Sequence, residues 1–360
     1  QGLRTELKGS GAAFSPGTPG ADGLLKPGNL AVFVPHNGCP HQCSFCDQRR
    51  ITGQGSQPTP EEVFHTVEQA ASGGRDLSGC ELAFFGGSFT AIDRETMVSL
   101  LKAGKKAVDA FGLKGIRCST RPDAIDEARL SLLGAYGVIA IELGAQCMDD
   151  GVLARNGRGH TCADVWRASK MIKAYGFTLG LQMMTGLPGS NEEIDTVTAK
   201  AFTEIHPDTV RIYPTLVLPE TQLARWYQAG EYAPQSLCKA VELCSNLLLL
   251  FEAAGIPVIR LGLHDTPELK ARVLAGPFHP AFRQLCESRI LLGRILSLLE
   301  KTGAPKGPEI LVAVHPKSIS NALGQKRGNL EQLRQKGYRV RFVQDASVPP
   351  AHCSLSKKGL

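Results

Sequence analysis

No run of about 18 apolar residues occurs in the 360-residue chain, so no membrane-spanning helix is expected. The opening stretch lacks the apolar core of a secretory signal. Its text (Gly9-Ser10-Gly11, Ser15-Pro16-Gly17-Thr18-Pro19-Gly20) reads instead as a flexible leader over residues 1–27. Eleven cysteines are present, but outside one cluster none has paired spacing. An odd, scattered set without a secretory signal fits reduced thiols in the cytoplasm better than a disulfide framework. Net charge is also near zero over most of the chain. The total is +6, yet Pro305 to Leu360 carries ten Lys/Arg against three Asp/Glu, a local +7 that leaves about −1 elsewhere. A basic end on a near-neutral body suggests a polyanion partner, although a solvated basic tail gives the same count. The length suffices for one large α/β domain with a sizeable core and a small appendage.

What is there begins with Cys39-Pro40-His41-Gln42-Cys43-Ser44-Phe45-Cys46. It follows Leu30-Ala31-Val32-Phe33-Val34, an apolar run that reads as a buried strand. Three thiolates on one loop can converge on a soft centre: an iron–sulfur cluster, zinc or Cu(I). In a four-iron cluster, three cysteines leave one iron open and the site reactive. A Cys3His zinc site with His36 or His41 as fourth ligand is the rival on this loop alone.

Further along, strands are expected at Glu81–Phe85, Ile116–Ser119, Val138–Leu143, Thr178–Met184 and Thr209–Tyr213, each followed by helical sequence. Thr59-Pro60-Glu61-Glu62 supplies a cap, a proline at N1 and a glutamate at N3 for the first helix. Six strand–helix units with short connections imply parallel strands and right-handed crossovers. Eight would close a TIM-type barrel; six predict a partial (β/α)6 barrel. Ligands then belong beyond the carboxyl ends of the strands. There the sequence places the cysteines, Gly86-Gly87, Thr120-Arg121-Pro122-Asp123, Gln146 and Gly186-Leu187-Pro188-Gly189.

These motifs, together with Glu142-Leu143-Gly144-Ala145-Gln146, Arg158-Gly159-His160 and Ile212-Tyr213-Pro214-Thr215, resemble the radical S-adenosylmethionine superfamily. More narrowly they resemble relatives of the Elongator catalytic subunit. The resemblance implies a 4Fe-4S cluster on Cys39, Cys43 and Cys46, with S-adenosylmethionine bound through its amino and carboxylate groups at the open iron. One electron, from a donor such as flavodoxin or ferredoxin, would release methionine and a 5′-deoxyadenosyl radical that abstracts a substrate hydrogen. It also implies Phe45 beside the adenine, Gly86 and Gly87 approaching the methionine amine, and Arg158 on the methionine carboxylate. Gln146 and Gln182 match positions that contact methionine or ribose. Ser88 and Ser119 stand where relatives often carry Glu, which shifts cofactor contacts toward backbone groups. The Elongator subunit's acetyltransferase domain is not expected in the residues after Thr215, so uridine carboxymethylation is not carried over. The other eight cysteines read as buried hydrophobes or incidental.

The text after Tyr213-Pro214-Thr215 divides into a radical S-adenosylmethionine core ending near residue 235, a mainly helical extension over 236–304, and a basic unit over 305–360. The last reads strand (309–314), helix (317–323), turn, helix (328–336), strand (339–344). It resembles a KH-type RNA-binding core, with Gly324-Gln325-Lys326-Arg327 in the position of the GxxG loop that clamps the nucleotide backbone. Arg327 replaces the second glycine of that loop. The expected activity is radical modification of an RNA base, in tRNA or rRNA. A radical enzyme acting on a small molecule or a protein, and a non-catalytic iron–sulfur RNA-binding or sensing protein, remain as alternatives.

Overall fold

A computed structural model describes residues 28–35, 42–46, 57–74, 76–263 and 265–356. The described residues form two compact units, one within 28–183 and 204–210, the other within 184–203 and 211–356. A seven-stranded sheet keeps chain order from β1 to β7, with β1 and β7 as its edges. Its strands are β1 (Asn29–Val34), β2 (Glu81–Gly86), β3 (Gly115–Thr120), β4 (Val138–Gln146), β5 (Thr178–Thr185), β6 (Thr209–Pro214) and β7 (Val258–Leu261). Every neighbouring pair from β1 to β5 is parallel. Six of these strands are the six expected from the sequence; β7 is an addition.

In the first unit the crossover helices begin where capping chemistry dictates. Helix α1 (Pro60–Ser72) opens on a full capping box. The Thr59 hydroxyl accepts from the Glu62 amide at 3.2 Å, and the Glu62 carboxylate accepts from the Thr59 amide at 2.8 Å. Helix α2 (Arg94–Phe111) is capped by Asp93, whose carboxylate accepts from the Thr96 amide, and ends at left-handed Gly112. Helices α3 (Glu127–Ala135), α4 (Asp150–Arg155) and α5 (Cys162–Ala174) follow β3 and β4.

Strand alternation sorts side chains into two rows. Leu82, Phe84 and Ile116 face α2, where a Cβ on Gly104 would lie 3.0 to 3.4 Å from their side chains. The opposite row carries a polar chain that is buried at Glu81, Arg117 and Glu142 and half-buried at Gln182. Arg117 Nε donates to Glu81 at 2.6 Å, Arg117 Nη1 to Glu142 at 3.2 Å, and Gln182 Nε2 to the other Glu142 oxygen at 2.9 Å. Gly180 leaves room for this chain: a Cβ there would sit 2.9 Å from Glu142 Cγ.

The second unit contains α7 (Gln222–Gln228), α8 (Leu237–Ala253), α9 (Pro267–Arg272) and α10 (Phe282–Lys301), while α6 (Glu192–Ile205) precedes β6. A second sheet of order β10-β8-β9 ends the chain: β8 (Glu309–Val314) and β9 (Arg339–Gln344) are parallel, and β10 (Cys353–Leu355) is antiparallel to β8. Two short helices, α11 (Ile319–Leu323) and α12 (Gly328–Gln335), join β8 to β9 as the sequence pattern predicts. Strand β10 was not expected. Leu291, Ile295 and Leu299 of α10 share one core with Val312, Val314, Ala322 and Leu333, so α10 packs as part of this α/β layer.

Removing one member of a buried ion network leaves its partners uncompensated. Arg117→Met is therefore expected to cost about 3 kcal/mol in denaturant unfolding, by exposing Glu81 and Glu142 to an apolar neighbour. Replacing both carboxylates in the Arg117→Met background should recover most of the loss. A single variant as stable as the parent would show that the polar row does not hold the sheet.

Candidate active site

The cysteine turn is held by a neighbouring turn of the same unit. Asp149 caps α4 through the Val152 amide at 2.8 Å, and the helix ends at Asn156-Gly157. Asn156 is fully buried; its amide nitrogen donates to the Val152 carbonyl. Its side-chain oxygen accepts from the Ser44 hydroxyl at 2.6 Å, and its carbonyl accepts from the Ser44 amide at 3.0 Å. Gly157 must lack a side chain, because a Cβ would lie 2.8 Å from the Gln42 carbonyl oxygen, and its φ is +63°. The cysteine turn itself is closed by Cys46 N–H to the Cys43 carbonyl at 3.1 Å.

Arg158 comes next in sequence and is 7% exposed. Its Nη1 donates to Cys43 Sγ at 3.0 Å, and its Nη2 to the Gly144 carbonyl at 2.5 Å. Arg121, 2% exposed, clasps Asp123 through Nε and Nη2 at 2.9 and 3.0 Å and also donates to the Arg158 carbonyl. The Thr-Arg-Pro-Asp turn thus fixes the backbone of the arginine that meets the cysteine. Below it, the Thr120 and Thr90 hydroxyls are 2.6 Å apart, and Thr90 donates to the Ala124 carbonyl.

Strand β4 ends in a bulge, with Gly144 and Ala145 opposing the single residue Gln182 on β5. Gln146 is left-handed at φ +70°, an uncommon state for a glutamine. Its Nε2 would sit 2.9 Å from a Cβ on Gly144, and its buried Oε1 has no hydrogen-bond partner among the described residues. His160 donates from Nε2 to the Ala145 carbonyl at 3.1 Å, beside this bulge. Burial, and then the Arg158 charge, lower its pKa to about 4, so the imidazole is neutral at pH 7.

Of the residues expected to meet the cofactors, Cys43, Gln146 and Arg158 are brought together around Gly144. Cys39, with His36 and His41, lies outside the described residues. Phe45 and Cys46 are half-buried on the same turn. Gly86 has a φ of +110°, while Gly87 passes so close to β1 that a Cβ would meet the Pro35 carbonyl at 3.0 Å. Ser88 is buried at the following turn, and Ser119 stands opposite Glu142 in register. Gln182 is engaged with Glu142. Asn156 was missed by sequence reasoning, although Asn-Gly after a short apolar helix is a recognisable stop signal.

In the second unit, the Gly-Leu-Pro-Gly turn is pinned by Asp195. Its carboxylate accepts from the Gly186 amide at 2.9 Å and the Ser190 hydroxyl at 2.6 Å, and Tyr232 donates to the Gly186 carbonyl at 2.7 Å. The Gly324–Arg327 turn is exposed beyond Gly324, with Lys326 and Arg327 both left-handed at φ +50° and +60°. Buried Asn329 supports it, directing its amide at the Ser288 and Asn321 carbonyls and filling the space a Gly324 Cβ would need.

The chain matches the Radical SAM superfamily over residues 33–199 and the Radical SAM C-terminal domain over 207–291. It is 26% identical over 297 residues to the tRNA uridine(34) acetyltransferase of Dehalococcoides mccartyi, covering 72% of this chain and 64% of that protein. The enzyme of the same name from Methanocaldococcus infernus is 30% identical, over 60% of this chain and 48% of its own length. Human Elongator complex protein 3 is 29% identical, over 62% and 46% respectively. The chain therefore spans about half to two thirds of the curated relatives it matches. Its fold is similar to that of the solved archaeal M. infernus Elp3 lacking residues 1–46, with a TM-score of 0.57 at 22% identity, over 78% of this chain and 64% of that one. The chain belongs to the radical S-adenosylmethionine superfamily and is an α/β enzyme of that class, related to the Elp3 group. The cofactors of the superfamily are a 4Fe-4S cluster and S-adenosylmethionine.

The described residues fit those groups. Two thiols on one turn supply soft donors, and an arginine N–H aimed at Cys43 Sγ suits an anionic sulfur. The unpartnered, buried Gln146 Oε1 suits an ammonium or hydroxyl donor. No described helix is long and apolar enough to cross a membrane.

Because folding depresses the His160 pKa, the unfolded chain binds the extra proton between the ordinary value of 6.5 and about 4. Stability from this residue is complete above pH 6.5 and declines as the pH falls toward 4, by at most about 3 kcal/mol. Urea unfolding of the parent and of His160→Gln across that range measures it. Identical pH profiles would show that His160 does not report burial beside Arg158.

Proposed function

We propose that the chain is a radical S-adenosylmethionine enzyme that modifies a base of an RNA, with tRNA the first candidate. The observation that carries the reading is Arg158, which joins the sulfur of Cys43 to the end of β4 at Gly144, two elements that the superfamily resemblance assigns to the cofactors. The relatives named for tRNA uridine chemistry, and the exposed basic turn at Lys326-Arg327, favour RNA as substrate. The last unit acts as a KH-like dock for it.

Cys39, Cys43 and Cys46 would hold the cluster, and Phe45, Gly86, Gly87, Ser88, Ser119, Gln146, Arg158 and Gln182 would surround S-adenosylmethionine. When bound, the two groups supply reductive cleavage of the sulfonium and abstraction of a substrate hydrogen, given an electron from a flavodoxin- or ferredoxin-type donor. The chain's own part is placement. Asn156 and Gly157 fix the cysteine turn, and Arg121 fixes the Arg158 backbone. Arg158 donates to a sulfur ligand, an interaction that tunes a cluster's potential. Gln146 presents a preformed acceptor, so little reorganisation accompanies ligand binding.

Mass spectrometry of tRNA and rRNA nucleosides, from cells with and without the protein, tests the substrate. One modified nucleoside should disappear without it and return with the parent gene but not with Cys43→Ala. Identical nucleoside profiles would overturn the RNA reading. Independently, Lys326→Glu/Arg327→Glu is expected to lose at least tenfold of the copurifying RNA, as reversal of two phosphate contacts requires. Unchanged retention would remove the turn from the docking surface.

A further inference from the structure

The buried polar row has a direction as well as a set of members. A guanidinium carries only donors, and a carboxylate facing it can only accept. Arg117 gives Nε to Glu81 at 2.6 Å and Nη1 to Glu142 Oε1 at 3.2 Å, while the exposed Lys114 ammonium lies 3.7 Å from the other Glu81 oxygen. Glu142 Oε2 then accepts from Gln182 Nε2 at 2.9 Å. The two ends of a side-chain amide differ in hydrogen-bond chemistry, and that chemistry decides which way the amide turns. Turned over, the Gln182 oxygen would oppose a carboxylate oxygen. Gln182 is therefore locked with its nitrogen toward Glu142, and its Oε1 has no partner among the described residues.

That oxygen belongs to the site end of the sheet. Glu142 pairs in register with Gly180, and Gln182 lies two residues further along β5 on the same face, toward the carboxyl end of the strand. There it opposes the β4 bulge that sets Gln146 in its left-handed state. Gly180 makes the approach possible, since a Cβ there would crowd the Glu142 side chain at 2.9 Å. Glu81, Arg117 and Glu142 are buried, whereas Gln182 is half-buried. The row thus starts in the packed sheet and ends on one acceptor within reach of a ligand.

We propose that Glu142, held by Arg117, is a positioning residue that fixes Gln182 as a hydrogen-bond acceptor for an O–H or N–H group of bound S-adenosylmethionine. Its ammonium and its hydroxyls fit such an acceptor; its carboxylate does not. The proposal rests on the reading above that S-adenosylmethionine binds at these strand ends, and it assigns the polar row a task beyond holding the sheet. Glu142→Gln reverses the row without changing its size. Arg117 can only donate, so the new amide turns its oxygen to Arg117 and its N–H to Gln182. Gln182 then turns over and offers the ligand N–H groups in place of Oε1.

The test is equilibrium dialysis of radiolabelled S-adenosylmethionine against the anaerobically reconstituted full chain. Glu142→Gln and Gln182→Leu are each expected to weaken binding about tenfold, the loss of one hydrogen bond at a desolvated site. Glu142→Gln/Gln182→Leu should bind no more weakly than Gln182→Leu alone, because Glu142 acts through Gln182. A purely structural Glu142 gives losses that add. The exchange Glu142→Gln/Gln182→Glu returns an acceptor to position 182 and should recover affinity to within about threefold of the parent. Gln182→Leu leaves the Arg117–Glu142 pair in place, so it keeps the test valid if Glu142→Gln fails to fold. Parental affinity in Gln182→Leu, additive losses in the double variant, or an exchange variant as weak as Glu142→Gln would each overturn the proposal and leave the cofactor reading standing. No sulfonium binding by the parent with its cluster intact would remove that reading and the proposal together.

Discussion

A guanidinium placed between a thiol and a strand end organises the candidate site. Arg158 reaches Cys43 and Gly144 with separate N–H groups, so the cysteine turn and the bulged end of β4 are positioned by one rigid fork. Its own backbone is held by Arg121, and the residues just before it, Asn156 and Gly157, hold Ser44 and Gln42. The hydrogen bonds made by Arg158, Arg121 and Asn156 are buried or half-buried, where a lost partner leaves a desolvated polar group behind. The cysteine turn has no regular secondary structure, and these bonds substitute for it.

The sheet beneath supports the site by opposite means on its two faces. Toward α2, apolar side chains close so tightly that a Cβ at position 104 would lie 3.0 to 3.4 Å from Ile116, Leu82 and Phe84. On the other face, Glu81, Arg117, Glu142 and Gln182 form a hydrogen-bonded chain across four strands. A buried chain of this kind adds little net stability compared with an apolar core, but it tolerates only one arrangement of its members. Fixed strand ends are what a site assembled from strand-following loops requires.

Much of this was legible in the sequence. Six apolar runs located six strands, and Thr59-Pro60-Glu61-Glu62 located the start of the first helix. Strand β7 was not assigned because Val258-Ile259-Arg260-Leu261 is too short for its pattern to separate strand from loop; long-range pairing, seen in Gly262 N–H to the Ile212 carbonyl, decides it. Strand β10 has three residues and pairs with β8 across some forty positions, which local propensity does not encode. The polar row was visible only as single charges inside apolar runs, and nothing local says that Arg117 meets both Glu81 and Glu142. Gln146 was picked out by resemblance, but its left-handed backbone follows from the bulge, and glutamine carries no signal for that state. Asn156 is the instructive omission: the Asn-Gly pair announces the end of α4, whereas its bond to Ser44 spans 112 residues.

The central claim is that Cys39, Cys43 and Cys46 hold an iron–sulfur cluster with one iron open to S-adenosylmethionine. Electron paramagnetic resonance of the anaerobically reconstituted, dithionite-reduced full chain tests it most directly, with spectra taken before and after the sulfonium is added. The expected result is a 4Fe-4S signal whose g values move on addition, because the open iron gains a ligand. Stoichiometric zinc in place of iron, or a cluster signal that the sulfonium leaves unchanged, would contradict it.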